Sequence, residues 1–246
     1  MSSRLEMRWV PPPGVRAVFT VRTAGVSGAP FDSLNVATHV GDDPAAVARN
    51  RSRLRAVAAL PAEPVWLEQV HGTRVVDLDG IRASAGVPPI GDASVASMSH
   101  RVCAIQVADC LPVLFARRDG SRVGAAHAGW RGLAAGVLEA TVDALGNAAE
   151  LVAWIGPAIS QARFEVGAEV RAAFVSDAPA AQEAFVRNAR GRWQCDLAAL
   201  ARQRLSTIGL DDVHGGAWCT FDDREQFFSY RRDGRCGRMA ALIWRA

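Results

Sequence analysis

Residues 101–126 hold the feature that most narrows what this chain can fold into. Three short apolar runs, 101–107, 113–116 and 123–126, follow one another with turn residues between them. Runs of that length, bounded by turn signals, read as buried strands. Asp119-Gly120 sits between the second and third and is a hairpin signal. The hairpin matters chemically. It brings Cys110, just past the first run, toward His127, at the end of the third.

Helical signals surround this block. Asp42-Asp43-Pro44 opens a helix running to about Leu60, with aspartate as N-cap and proline in the first turn. Arg49, Arg51 and Arg53 lie on its charged face. Leu133, Val137, Leu138, Val142 and Leu145 recur with helical period, and Gly146 reads as the C-cap. Further helices are expected around 168–174, 178–188 and 197–208, the last capped by Asp196. Strands are expected at 15–21, 151–155, 213–218 and 238–244, and mixed strand and loop over 66–76. No linker or repeat divides the chain, so residues 1–246 read as one α+β domain.

Composition removes several function classes. All 28 basic residues are arginine. Schiff-base lysine chemistry and a phosphate-loop lysine are therefore excluded, and any phosphate must be held by arginine or backbone N–H. A net charge of +3 gives no basic face that nucleic acid would demand. No apolar run is long enough to span a membrane. The first six residues lack the apolar core of a signal peptide, so a cytoplasmic location is expected. Five cysteines, an odd number without a Cys-x-x-Cys, argue against a disulfide framework. No pattern assigns an oligomeric state.

The chemistry concentrates in His71, Cys110 and His127. Each stands beside glycine or proline, in Gln69-Val70-His71-Gly72, Ala108-Asp109-Cys110-Leu111-Pro112 and His127-Ala128-Gly129-Trp130-Arg131-Gly132. Any one alone would read as a satisfied turn or core residue. Together, two imidazoles and a thiolate make a three-ligand zinc set with the fourth position open, the arrangement of a catalytic site. The thiolate also admits copper. The turn 127–132 leads from strand to helix and reads as favourable for an anion. Arg131 beside it, and Arg231 and Arg232 after Tyr230, are candidate anion clamps as well as ordinary salt-bridge partners. His39, His100 and His214 read as ordinary loop histidines.

These segments resemble the YfiH family, also labelled the laccase-domain or multicopper polyphenol oxidoreductase family. The likeness covers nearly the whole chain. It includes Phe31-Asp32-Ser33-Leu34-Asn35, Val40-Gly41-Asp42-Asp43, the three ligand motifs, Gly156-Pro157-Ala158-Ile159, Phe164-Glu165-Val166-Gly167 and Phe227-Phe228-Ser229-Tyr230-Arg231-Arg232. Ala24 departs from it, standing where the family usually has a glycine. The resemblance implies a four-layer α/β/β/α sandwich with mixed sheets. It implies a zinc on His71, Cys110 and His127, the catalytic residues. It also implies a purine nucleoside enzyme that uses phosphate to cleave adenosine, inosine, guanosine or methylthioadenosine and that deaminates adenosine. Asn35, Arg51, Arg131 and Arg231 are then the candidate substrate or phosphate contacts.

Three other readings compete. True laccase chemistry needs many histidines, usually in His-x-His pairs; this chain has five and no such pair, which leaves at most weak copper-dependent polyphenol oxidation at the same ligands. A cysteine hydrolase with Cys110 as nucleophile and a histidine base is the second. Some members of the fold group are linked in those terms to editing of peptidoglycan precursors. The third is a binding module without turnover.

Overall fold

The structure, a computed structural model, describes residues 3–81 and 87–246; Met1 and Ser2 of the N-terminal segment and residues 82–86 lie outside it. In chain order the first half holds β1 (Val15–Phe19), α1 (Pro44–Ala58), β2 (Val75–Asp77), β3 (Ala93–Ala96), β4 (Val102–Val107), β5 (Leu111–Arg117) and β6 (Val123–Ala128). Next come α2 (Trp130–Ala135), α3 (Val137–Leu145), β7 (Leu151–Ile155), β8 (Glu165–Val166) and α4 (Ala168–Val175). The chain then forms β9 (Phe185–Arg187), β10 (Trp193–Cys195), α5 (Leu197–Thr207), β11 (Val213–Gly215), α6 (Tyr230–Asp233) and β12 (Met239–Arg245).

Successive side chains of a strand point to opposite faces, so a strand that is apolar throughout needs cover on both. That requirement stacks the layers. The central sheet runs β11-β7-β5-β6-β3-β2. It is mixed: β11–β7 and β2–β3 are parallel, and the other pairs are antiparallel. On one face Val113, Phe115, Ala153 and Ile155 meet Leu138 and Val142 of α3 and Leu200 and Leu205 of α5. On the other, Leu114, Ala125 and Trp154 meet Phe19, Ile105, Ala241 and Ile243 of a second sheet. That sheet, β1-β12-β4, is antiparallel. Its outer residues Val18, Val102, Ala104 and Leu242 pack on Leu54 and Ala58 of α1. The result is an α/β/β/α α+β fold, with β8-β10-β9 as a small third sheet. Truncating a residue such as Phe115, fully buried between layers, would cost about 3–5 kcal/mol.

Local departures from the sequence reading have physical causes. The expected helix over 133–145 is two helices, because Gly136 takes φ +99° and resets the axis. The expected helix over 178–188 is a 3-10 turn, Pro179–Ala184, followed by β9. Proline starts the turn, and Phe185 then pairs with Cys195, so cross-strand packing overrides alanine's helix preference. The strand expected over 213–218 stops at Gly215, where Gly215 and Gly216 both take positive φ. No helix among the described residues is long and apolar enough to cross a membrane.

Candidate metal centre

The hairpin β5–β6 delivers two of the three ligands. It pairs Pro112 with His127 and Leu111 with Ala128, leaving Cys110 at its open end beside Gly129. Cys110 is presented by Asp109, which takes φ +91°. The Asp109 carboxylate is tied from both sides: Thr220 Oγ1 donates to Oδ1 at 2.6 Å, and the Arg231 backbone N–H to Oδ2 at 2.6 Å. The loop carrying Cys110 is thereby fastened to the start of α6.

His71 comes from a loop, with φ +61°. Left-handed backbone at a non-glycine residue costs of order 1–3 kcal/mol and persists only when neighbours hold it. Here one carboxylate does so. The N–H groups of Val70, His71 and Gly72 all donate to Asp92, at 3.1, 2.8 and 2.7 Å. The same carboxylate accepts from His127 Nδ1 at 2.8 Å, and the His127 N–H donates to the Asp92 carbonyl at 2.7 Å. Asp92, fully buried, thus sets the backbone of one ligand and the ring of another. Its bond to Nδ1 leaves Nε2 of His127 to face the site, the usual role of a carboxylate behind a metal-binding histidine.

The ligand atoms of His71, Cys110 and His127 lie within 4.8 Å of one another, with Cys110 Sγ 3.8 Å from His71 Nε2. A tetrahedral zinc would set such donors roughly 3.3–3.6 Å apart, so the group can hold a metal ion with little movement. Close packing depends on glycine. A Cβ at Gly129 would sit 2.8 Å from His71 Cδ2 and 3.1 Å from Cys110 Sγ, and one at Gly132 would sit 2.8 Å from the Gly72 carbonyl. The turn 127–132 therefore serves approach to the ligand loop. α2 spans six residues and starts from Gly129, with no side chain capping its first turn.

Electrostatics suit a thiolate. Burial pushes the Cys110 thiol up, but the His127 and His71 rings overcome it and bring it down to about 6. Burial pushes His127 down, but Cys110 and Asp92 raise it to about 9. Asp92 stays below the usual carboxylate range: burial opposes this, and the bonds from His127, Gly72 and His71 prevail. By contrast burial drives Cys103 and Cys195 up to about 12, which marks them as inert core thiols.

The three ligands open into a cavity of about 740 Å³, within the range of small-molecule pockets. Trp66, Leu67 and Val107 supply apolar wall, Gln69 and Gln106 polar wall, and Arg51 and Arg238 cationic wall, with His39 also lining the cavity. Gln69 holds Gln106 as a neighbouring strand would, bonding its N–H at 2.8 Å and its carbonyl at 2.9 Å.

The other residues singled out in the sequence are scattered. Arg51 lines the cavity. Asn35 does not: it is fully buried, and its amide is consumed by Ala37, Asp42 and the Arg238 N–H. It orients Arg238 rather than touching the pocket. Arg131 points outward over Trp130. Arg231 donates to the Glu165 carbonyl at 2.9 Å and lies over Phe164; neither arginine lines the cavity. Tyr230 does, at 60% exposure. The sequence reading gave no role to Asp92 or Arg238 and took His39 as an ordinary loop histidine; the structure places His39 and Arg238 on the cavity. An aspartate opening the run Asp92-Ala93-Ser94-Val95-Ala96 was the one signal for the first. Arg238 falls in Gly237-Arg238-Met239-Ala240, a segment that shares the family likeness, and nothing local marked His39.

Residues 16–246 match the family described as multi-copper polyphenol oxidoreductase laccase. The chain is 53% identical, over 99% of each, to a purine nucleoside phosphorylase of Pseudomonas aeruginosa. It is 48% identical, again over 99% of each, to purine nucleoside phosphorylase YfiH of Escherichia coli. A Neisseria meningitidis crystal structure superposes with TM-score 0.93 at 46% identity, covering 99% of each chain. YlmD of Geobacillus stearothermophilus superposes at 0.88 and 30% identity, covering 99% of this chain and 96% of the other. With the fold, the ligand group and full-length likeness in agreement, the chain belongs to the YfiH family of laccase-domain proteins.

Proposed function

We propose that this protein is a zinc-dependent purine nucleoside phosphorylase, acting on adenosine, inosine, guanosine and methylthioadenosine, and that the same pocket deaminates adenosine. The observation that carries this is a metal-competent His71–Cys110–His127 group at the wall of a cavity of small-molecule size, in a chain 53% identical to a protein named purine nucleoside phosphorylase. In phosphorolysis a phosphate oxygen bonds to the ribose C1′ as the C1′–N9 bond breaks and the purine leaves with the electron pair. Arginines in the cavity hold the phosphate, and Trp66 and Val107 offer apolar surface to the base. Zinc, when bound, supplies Lewis-acid polarisation of a substrate oxygen or of water; copper is the competing metal. Asp92 keeps both histidines in register. All five cysteines are free, which fits the reducing cytoplasm, and we take residues 1–246 as one working unit.

The test is turnover of adenosine and inosine with and without phosphate, on metal-analysed wild type and Cys110→Ala, products followed by chromatography. Phosphate-dependent base release, lost together with metal in the variant, is the expected result. No turnover by zinc-loaded wild type sinks the reading. A cysteine hydrolase is the second reading, favoured by the geometry of a thiol 3.8 Å from one imidazole and near another oriented by a buried carboxylate. It requires activity that survives chelation and dies on alkylation of Cys110.

A further inference from the structure

Two arginines and a histidine line the cavity, and none of them is held in an ion pair with a described residue. Arg51 spends its Nε on the Val36 carbonyl at 2.9 Å, and its guanidinium stacks over Trp66 at 4.3 Å. Its terminal nitrogens bond to no described residue. Arg238 uses one terminal nitrogen on the Cys236 and Gly237 carbonyls, at 2.9 and 3.0 Å. Its backbone is pinned by the buried Asn35, which accepts its N–H at 2.9 Å. Neither arginine, nor His39, forms an ion pair with any described residue. That the three face one another shows in His39. Burial lowers its pKa, and Arg238 and then Arg51 lower it further.

Nearby acids are committed elsewhere or lie out of ion-pair range. Glu63 attracts Arg51 but accepts from Trp66 Nε1 at 2.9 Å. Glu68 lines the cavity yet is exposed and unpaired. Asp42 takes bonds from Ser27 and Asn35. Burial alone lowers the pKa of Arg51, so its charge is held at a cost. Converging, partly desolvated guanidinium groups without a counterion are stable only weakly, and an anion offered to their free N–H groups reverses the penalty. Planar forks of this kind suit a tetrahedral oxyanion, which accepts two parallel bonds.

We infer that the wall formed by His39, Arg51 and Arg238 is a phosphoryl-oxyanion subsite, made of residues other than the metal group that lines the same cavity. It rests on the proposed phosphorylase activity for its role, and it locates the phosphate. Asn35 acts on this subsite as a positioning residue. Inorganic phosphate and the 5′-phosphate of a nucleotide share the chemistry.

The experiment is calorimetric titration of inorganic phosphate into wild type, His39→Gln and Arg238→Gln, each metal-loaded and chelator-stripped. Thermal melts first establish that the variants fold; exposed His39 is the safer of the two. Binding should survive stripping, weaken about tenfold or more in Arg238→Gln and about threefold in His39→Gln, as expected for loss of charge-assisted bonds. Absence of binding to stripped protein, or equal affinity in all three, overturns the subsite. A nucleoside 5′-monophosphate titrated next separates the sources. Tighter, Arg238-dependent binding that excludes phosphate assigns the subsite to a phosphorylated substrate, and its failure to compete assigns it to inorganic phosphate. The two proposals also fail separately. Arg238-dependent phosphate binding without nucleoside turnover removes the phosphorylase and keeps the subsite. Turnover with an unchanged KM for phosphate in both variants does the reverse.

Discussion

The two walls of the cavity are built on opposite principles. On the metal side two carboxylates tie down the ligand-bearing loops: Asp92 accepts four bonds from the His71 loop and His127, and Asp109 accepts two more behind Cys110. On the cationic side Arg51 and Arg238 keep free donors. A metal needs donors fixed to tenths of an ångström, so its wall is over-determined in advance. An anion brings its own acceptors and completes the wall that receives it. Buried, satisfied groups mark the first kind of site, and converging unsatisfied charge marks the second.

The strongest test of the metal wall is Cys110→Ala. Bound metal should fall from near one per chain to near none, with turnover down at least about 100-fold, read by elemental analysis and steady-state rates; a variant that keeps its metal would break the contrast. Asp92→Asn comes next. Loss of the shared carboxylate charge should weaken metal affinity by about 10–100-fold in chelator competition. Asp92→Ala should also lose about 3–5 kcal/mol in denaturant unfolding, since it leaves His127 and three N–H groups unpartnered.

Proton competition sharpens the same point. Without metal, the Cys110–His127 pair holds two protons below about pH 6, one between about 6 and 9, and none above. Metal needs the thiolate and the neutral ring, so it displaces whatever protons the pair holds. The pair's contribution to affinity should therefore rise about tenfold per pH unit between those values and flatten above 9. A chelator-competition profile flat from 6 to 9 contradicts the pairing. Gly129→Ala is a smaller perturbation. Its Cβ pushes on His71 Cδ2, and overpacking of about 1 kcal/mol corresponds to about a fivefold loss of metal affinity. Arg131→Gln should be nearly silent, under about twofold in KM, because that side chain lies outside the cavity.

Much of this architecture was legible in the chain. The three buried strands, the Asp119-Gly120 hairpin and the Asp43-Pro44 helix start appear as read, because each depends on neighbours within a few residues. The hairpin alone accounts for the meeting of Cys110 and His127. The break at Gly136 and the strand at 185–187 escaped the reading, since periodicity does not reveal where a glycine turns left-handed or what a short segment will pair with. Asp92 was harder still: its partners lie 20 to 35 residues away in sequence.

Residue chemistry by itself determined that a two-histidine, one-cysteine set was available, that no lysine would serve, and which strands must be buried. Tertiary structure alone decided which charges face one another. It turned Asn35 inward to hold Arg238, sent Arg131 and Arg231 to other surfaces, and gathered His39, Arg51 and Arg238 onto one wall. The physical reason is range. Hydrogen-bonded turns and apolar alternation are settled between near neighbours, whereas desolvation and the pairing of charge depend on packing between distant segments, which only the assembled layers provide.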